Sequence, residues 1–193
     1  LIRGGATSTR VLTSTIQFNS GLGVWIRDAG TELTQVEFST IANQGDSGVQ
    51  IDNGATRNTI GGYDDAGNTI VQNAREGVYI AGPDTRDNRL MGNFIGTDGF
   101  NDLGNGLNGV AIDQGARQNA IGYNAAGNII GGNGGHGVLI TNGALTNTLQ
   151  SNEIGVNKPM TAAMPNDGDG VRISAGASDN FIGAPLIALR GAA

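Results

Sequence analysis

The sequence predicts an all-β chain wound as a parallel solenoid, about seven coils of three short strands each. Three observations carry this. The stretch from Gly48 to Asn108 is written a second time from Gly109 to Asp169, each copy 61 residues long, and a fixed period in this range marks a stacked-repeat architecture. Each copy then splits, because a Gly-Val-x-Ile signal recurs at Gly23, Gly48, Gly77, Gly109, Gly137 and Gly170, at intervals of 25, 29, 32, 28 and 33 residues. Helical periodicity is absent, and 34 glycines with only 5% aromatic residues suit many tight turns around a narrow aliphatic bore.

Within one interval the strand candidates are short and alternate with period two. In the coil from Gly48 they are Val49 to Ile51, Asn58 to Ile60 and Asn68 to Ile70, each bounded by Gly, Asn or Asp. The Val and Ile of each Gly-Val-x-Ile should point inward and the residue between them outward. One coil cannot bury its own inward residues, but coils stacked at about 4.8 Å build a continuous column. Its expected members are Val49, Ile51, Ile60 and Ile70, then Val78, Ile80, Leu90 and Ile95, then Val110, Ile112, Ile121 and Ile130, then Val138, Ile140, Leu149 and Ile154.

Taken in order, the chain opens inside a first strand, since Leu1-Ile2-Arg3 matches Trp25-Ile26-Arg27. Thr9-Arg10-Val11 and Ser14-Thr15-Ile16 complete that coil, and Thr34-Gln35-Val36 and Ser39-Thr40-Ile41 repeat them one turn later. Where these two coils use Ser or Thr, later ones use Asn: Asn58, Asn88, Asn119, Asn147 and Asn180 before the second strand, and Asn68, Asn93, Asn128 and Asn152 before the third. A third series runs Asn19, Asn43, Asn73, Asn105, Asn133, Asn166. Asn at such corners tolerates left-handed backbone, and its amide can bond the same amide one coil away, so these residues read as architecture. Insertions alternate. The coils at Gly48 and Gly109 carry them between second and third strands, and those at Gly77 and Gly137 after the third, so each class should leave through one edge. The last coil begins at Gly170, and the pattern ends in a tail from 184 to 193. The 193 residues read as one domain with coils starting near 1, 23, 48, 77, 109, 137 and 170, a piece of a longer solenoid or one that stacks end to end.

Composition excludes several functions. There is no cysteine, hence no disulfide and no thiolate chemistry. A net charge of −6 with eleven scattered basic residues argues against nucleic acid. No apolar run approaches membrane-spanning length, so no membrane insertion is expected.

The text Gly-Asn-x-Ile, Asn-x-x-x-Gly-Val-x-Ile and Asn-Phe-Ile-Gly-Thr-Asp at 93 to 98 resembles the repeat of the pectate-lyase-like superfamily. It is similar in particular to the long right-handed β-helix repeat segments of bacterial secreted and surface proteins. The resemblance spans residues 1 to 183 and implies a right-handed parallel β-helix at the cell surface or outside the cell. It does not specify an activity, since that superfamily contains lyases, hydrolases, epimerases, adhesins and phage proteins.

Members of that superfamily work along one solvent face, so the outward first-strand positions are read as columns: Trp25, Gln50, Tyr79, Ala111, Leu139 and Arg172, beside Arg3, Arg27, Asp52, Ala81, Asp113, Thr141 and Ser174. Trp25 and Tyr79, two rungs apart with Gln50 between them, form a candidate sugar-stacking platform, or else two rings covering Gly-rich backbone. Arg27 beside Asp52 is a candidate carboxylate clamp and general base, or a surface ion pair contributing less than about 1 kcal/mol. Asp52 and Asp113, about 9.6 Å apart by rung spacing, approach the separation of roughly 6.5–9.5 Å in inverting glycosidases, though their copy relationship also explains the pairing. Asp64, Asp65, Asp98 and Asp102, with Asn101, Asp167 and Asp169, offer hard oxygen ligands for calcium in inserted corners, where Asp is also ordinary turn chemistry. No other cofactor is implied. His136 reads as a turn residue, and Lys158 sits in the longest insertion, away from the rigid face. Thr15, Thr40 and Thr69 form a threonine row that hints at an ice-binding face, but Phe94 ends it.

The outward positions are mixed rather than gathered into an acid–base cluster. The leading expectation is therefore a non-catalytic extracellular scaffold or adhesin-like module binding polysaccharide or cell-surface glycan. The alternative is a carbohydrate-active enzyme, whether polysaccharide lyase, inverting glycoside hydrolase or epimerase, acting along the first-strand face.

Overall fold

A computed structural model describes residues 1–63 and 66–183; Asp64, Asp65 and the tail from 184 to 193 lie outside the described residues. The described residues contain no helix and three wholly parallel sheets, each adding one strand per turn in sequence order. The first sheet holds Val24–Arg27, Val49–Asp52, Val78–Ala81, Val110–Asp113, Val138–Ile140 and Val171–Ile173. Arg10–Leu12, Gln35–Glu37, Thr59–Gly61, Arg89–Met91, Ala120–Ile121, Thr148–Leu149 and Phe181–Ile182 form the second. Thr15–Gln17, Thr40–Ala42, Thr69–Val71, Phe94–Ile95, Ile129–Ile130 and Glu153–Ile154 form the third. Counted from the Ile2 bridge in the first sheet, the winding makes six complete turns and the first two strands of a seventh. Ile2 joins the first sheet as a bridge to Ile26, as the match of Leu1-Ile2-Arg3 to Trp25-Ile26-Arg27 predicts.

The bore is the predicted aliphatic column. Val49, Ile51, Ile60 and Ile70 have no solvent exposure, nor do their counterparts in the next two coils. In the following coil Leu149 is 3% exposed and Ile154 packs against the column from one side. The register stacks like on like, for example Val49 on Val78 and Ile51 on Ile80. Each buried Val or Ile contributes about 1.5–3 kcal/mol, but only while a coil lies above and below it. The periodic glycines serve this stacking rather than a turn. A Cβ on Gly48 would lie 2.7 Å from both Asn73 Nδ2 and Ile70 Cγ2 and 2.8 Å from the Gly77 carbonyl oxygen, and Gly77, Gly109 and Gly137 repeat the pattern.

The corner asparagines form three buried amide ladders. Asn93 shows the unit: its side-chain oxygen accepts from both the backbone N–H and the amide of Asn68, while its own amide donates to Asn128 Oδ1 and to the Ile60 carbonyl. Two expectations are corrected. The left-handed backbone falls one residue earlier, at Arg57, Asp87, Gln118 and Thr146 ahead of Asn58, Asn88, Asn119 and Asn147. The ladder residue is therefore chosen for its amide alone. In the third series Asn43 takes that left-handed position, and Gln44 enters the ladder between Asn19 and Asn73. The longer Gln side chain accepts from Asn19 and donates to the Ile16 and Ala42 carbonyls, and the link onward to Asn73 is made by its backbone N–H alone.

Insertions leave through two edges, as their alternation predicts. Asn124 donates to the Tyr63 hydroxyl across two coils, and the loop at 155–165 docks on the earlier one through Lys158 N–H to the Gly99 carbonyl. Asn93→Ala leaves the Asn68 donors and the Ile60 carbonyl of a buried ladder unpartnered. It is expected to lower the unfolding free energy by about 2–4 kcal/mol, read from the urea midpoint, whereas Thr69→Ala on the outer face of the same sheet should change it by less than about 0.5 kcal/mol.

Candidate functional site

The outward side of the first sheet is not uniform, because the corner after each first strand has two lengths. In the coils at Gly48, Gly109, Gly137 and Gly170 it is a two-residue turn with both φ values positive, Asn53-Gly54, Gln114-Gly115, Asn142-Gly143 and Ala175-Gly176. Each closes with a hydrogen bond such as Ala55 N–H to the Asp52 carbonyl. The coils at Gly23 and Gly77 insert one residue there and put Thr31 or Thr85 where the others bury Ala55, Ala116 or Ala144. Two short corners in succession bond backbone to backbone, as Gly115 N–H does to Asn142 O. Below a long corner that bond is replaced, and Gly54 N–H donates to the Thr85 hydroxyl at 3.0 Å.

This alternation makes a hollow, the candidate site. The short corner at Asn53-Gly54 lies between the long ones at Ala29 and at Pro83-Asp84, and the result is a hollow of about 540 Å³. Its floor and walls include Arg27, Gln50, Asp52, Tyr79, Asp84 and Gln114. Asp113 carries the same sequence context as Asp52, but its short corner is followed by another, at Asn142-Gly143, so the copy has one long neighbour instead of two.

Side chains in the hollow are bound to one another. Asp52 Oδ2 accepts the Trp25 indole N–H at 3.0 Å and the Gln50 amide, while Arg27 Nε lies 3.6 Å from Oδ1. The Arg27 guanidinium also lies 4.3 Å from the centroid of the Trp25 ring. Arg27 Nε and Asp52 Oδ1 are both buried and lack a hydrogen bond. Asp28, beside Arg27, is held below the usual carboxylate range, chiefly by the Asn53 amide. On the other side Tyr79 donates to Asp113 Oδ2 at 2.8 Å and accepts from the Gln114 amide, and Asp113 Oδ1 takes the Asn142 amide and the Gln114 backbone N–H. Burial, and then the Asp113 carboxylate, push the Tyr79 phenol far above its ordinary value.

Sequence reading anticipated the columns, and the register confirms them: Trp25, Gln50 and Tyr79 are paired in succession, as are Arg27, Asp52, Ala81 and Asp113. Four of the six singled-out residues, Arg27, Gln50, Asp52 and Tyr79, line the one hollow. Trp25 faces a neighbouring one of about 440 Å³ with Leu22 and Asp46, and Gln50 borders both. Asp52 and Asp113 are two rungs apart, each held within its own cluster, Asp113 through both oxygens and Asp52 through Oδ2 alone. Missed were the corner residues Asn53, Asp84 and Gln114, whose signal is the one-residue difference in corner length. Also missed was Glu76, a carboxylate only 5% exposed that accepts from Ser47 Oγ and lies 3.5 Å from Arg75.

Of the candidate metal ligands, Asp64 and Asp65 lie outside the described residues. Asp98 caps its own turn, accepting from the N–H groups of Phe100 and Asn101 and the Asn101 amide. Burial raises its carboxyl, but those hydrogen bonds outweigh it and hold it below the usual range. Asp102 pairs with Thr97 across the same loop. No group of three His, Asp or Glu residues able to hold a metal ion occurs among the described residues. His136 Nδ1 accepts the Asp169 backbone N–H at 2.8 Å, so the neutral ring carries its proton on Nε2. Lys158 lies 5.2 Å from the Phe94 ring centroid, at the third sheet.

No family model matches the sequence, and no curated protein matches it. Among solved structures the chain is similar to the A-module of a mannuronan C-5 epimerase from Azotobacter vinelandii, at 16% identity over 91% of this chain and 53% of that one, with a TM-score of 0.50. It is also similar to a periplasmic alginate epimerase, at 14% identity over 89% and 51%, with a TM-score of 0.48. The chain spans about half the length of these structures, and the likeness is one of fold: this is a right-handed parallel β-helix.

Two measurements check the site. A phenol whose folded pKa is raised contributes stability below about pH 10 that is lost as pH climbs towards the folded value. Alkaline titration followed by phenolate absorbance is therefore expected to show a step well above the ordinary tyrosine range that Tyr79→Phe abolishes. Thr85→Val leaves Gly54 N–H without its acceptor and is expected to cost about 1–3 kcal/mol by denaturant unfolding, with Thr85→Ser restoring most of it.

Proposed function

We propose that the chain is a non-catalytic β-helix module, extracellular or periplasmic, that binds a neutral polysaccharide in the hollow between the long corners of the first sheet. The observation carrying this reading is the commitment of the hollow's ionisable groups. Asp52 and Asp113 are held by the donors already described, Arg27 is stacked on Trp25 and paired with Asp28 and Asp52, and Tyr79 holds its proton more tightly than usual. A general base needs a pKa near the working pH and access to the substrate's proton. A phenol raised by burial and a neighbouring carboxylate moves away from that role. What the hollow does offer is an array of amides (Gln50, Asn53, Gln114) and carboxylates with one aromatic ring, that of Tyr79, groups that hydrogen-bond sugar hydroxyls and stack on a pyranose face.

Charge selects the class of glycan. Arg27 is paired with Asp28 and Asp52, and Asp84 with Arg117, so the hollow offers an acidic chain no uncommitted positive charge among the described residues. The matched structures are titled as epimerases of mannuronan and alginate, and the fold they share is one on which polysaccharide chemistry is built; their activity is not carried to this chain.

A second reading has one specific observation in its favour. Asp52 Oδ1, buried 3.6 Å from Arg27 and without a hydrogen bond, is the atom that would serve as base in a carbohydrate-active enzyme, with Arg27 beside it.

Neutral polysaccharides, galactan and glucomannan among them, should be titrated against the protein by calorimetry and by the fluorescence of its one tryptophan, Trp25. Saturable binding that is insensitive to salt is expected, weakened about tenfold or more by Gln50→Ala and by Tyr79→Ala, with no new reducing or unsaturated ends on long incubation. Turnover that disappears in Asp52→Asn would overturn the binding-module reading in favour of the enzyme.

A further inference from the structure

The second sheet presents a different face. Its outward residues stack in register as Arg10, Gln35, Thr59, Arg89 and Ala120. In an acidic chain with eleven basic residues, five (Arg10, Arg57, Arg86, Arg89 and Arg117) lie on this sheet or on the corner leading into it. Four of them have a carboxylate: Arg10 has Glu37, Arg57 has Glu32, Arg86 has Asp87 and Arg117 has Asp84.

Arg89 is the exception. It is exposed, it has no carboxylate partner among the described residues, and its guanidinium carbon lies 4.3 Å from the centroid of the Tyr123 ring. Stacking holds a guanidinium by its face and leaves the in-plane N–H fork, which matches a carboxylate or sulfate two bonds at a time. Arg89 lines a hollow of about 450 Å³ with Leu33, Arg57, Thr59 and Asp87. Asp87 would repel an anion, but its carboxylate is 2.5 Å from Arg86, and with Glu32 on Arg57 the surplus charge of the group is the one positive charge of Arg89. Leu33, 48% exposed with φ of 57°, adds an apolar surface, and Thr59 adds a hydroxyl one rung from Arg89.

A charged fork, an apolar patch and a hydroxyl within one small hollow match one ligand. We propose that this hollow is a second carbohydrate site, selective for a sugar bearing an oxyanion, with Arg89 taking the carboxylate or sulfate, Leu33 the apolar face of the ring and Thr59 a ring hydroxyl. The column was open to sequence reasoning, since the residue between Asn and Ile in each Asn-x-Ile is outward just as the x of Gly-Val-x-Ile is.

The test uses three defined probes in calorimetry at low and raised salt: oligogalacturonate for the carboxylate, a carrageenan oligosaccharide for the sulfate ester, and fully methyl-esterified oligogalacturonate as the uncharged control. Binding of either charged probe supports the proposal and identifies the source of the oxyanion, provided that salt weakens it and Arg89→Ala weakens it about tenfold or more. Arg89 is exposed and supports no core contact, so the variant is expected to fold. It should leave binding of neutral polysaccharide at the first sheet unchanged, which separates a failure here from a failure of that reading. No binding of either charged probe, equal binding of the methyl ester, or binding indifferent to Arg89→Ala would overturn it.

Discussion

Each coil of this protein leaves its needs to be met by the next. The bore residues of a single turn form a thin ring that water would reach from both sides, and the corner amides of a single turn have donors and acceptors pointing along the axis. Burial without a partner costs a polar group about 1–3 kcal/mol, so register between coils is fixed by the amides as firmly as it is rewarded by the aliphatics. The absence of a Cβ at Gly48 and its equivalents belongs to the same constraint, because the neighbouring carbonyl occupies that space. Everything on the outside, including both hollows, inherits its spacing from this axial registration.

The constraint also explains what could be read from residues alone. Bore positions recur because each must meet its copy, so Val49, Ile51, Ile60 and Ile70 were legible without coordinates. So were the outward columns, since a parallel register carries a face assignment from one coil to the next. The ladder was legible as a set of asparagines but misread in detail. The turn needs one residue with left-handed backbone and one with an axial amide, and these are neighbours, so Asn43 and Gln44 exchange the roles that spacing suggests. What surrounds the outward residues was not legible. That the Trp25 indole N–H donates a hydrogen bond to Asp52, or the Tyr79 hydroxyl to Asp113, depends on rotamers chosen by several coils at once.

Charge is partitioned around the rod. Beside the first-sheet hollow Arg27 has two carboxylates, Asp28 and Asp52, whereas on the second sheet arginine–carboxylate pairs leave Arg89 over. A net charge of −6 describes neither surface. Composition reports the sum of the charges and is blind to a local surplus of one guanidinium held on an aromatic ring.

The alternating corners after the first strand have a consequence for how such a rod diversifies. A single inserted residue changes the height of one rim and asks the bore for nothing beyond exchanging a small buried Ala for Thr, whose hydroxyl repairs the displaced hydrogen bond. Concavities can thus be opened, shifted or erased along the axis by one-codon insertions and deletions, while the hydrophobic interior and its amide seams stay untouched. A repeat protein with this device can acquire a new recognition address between any two duplications without first solving its folding problem again.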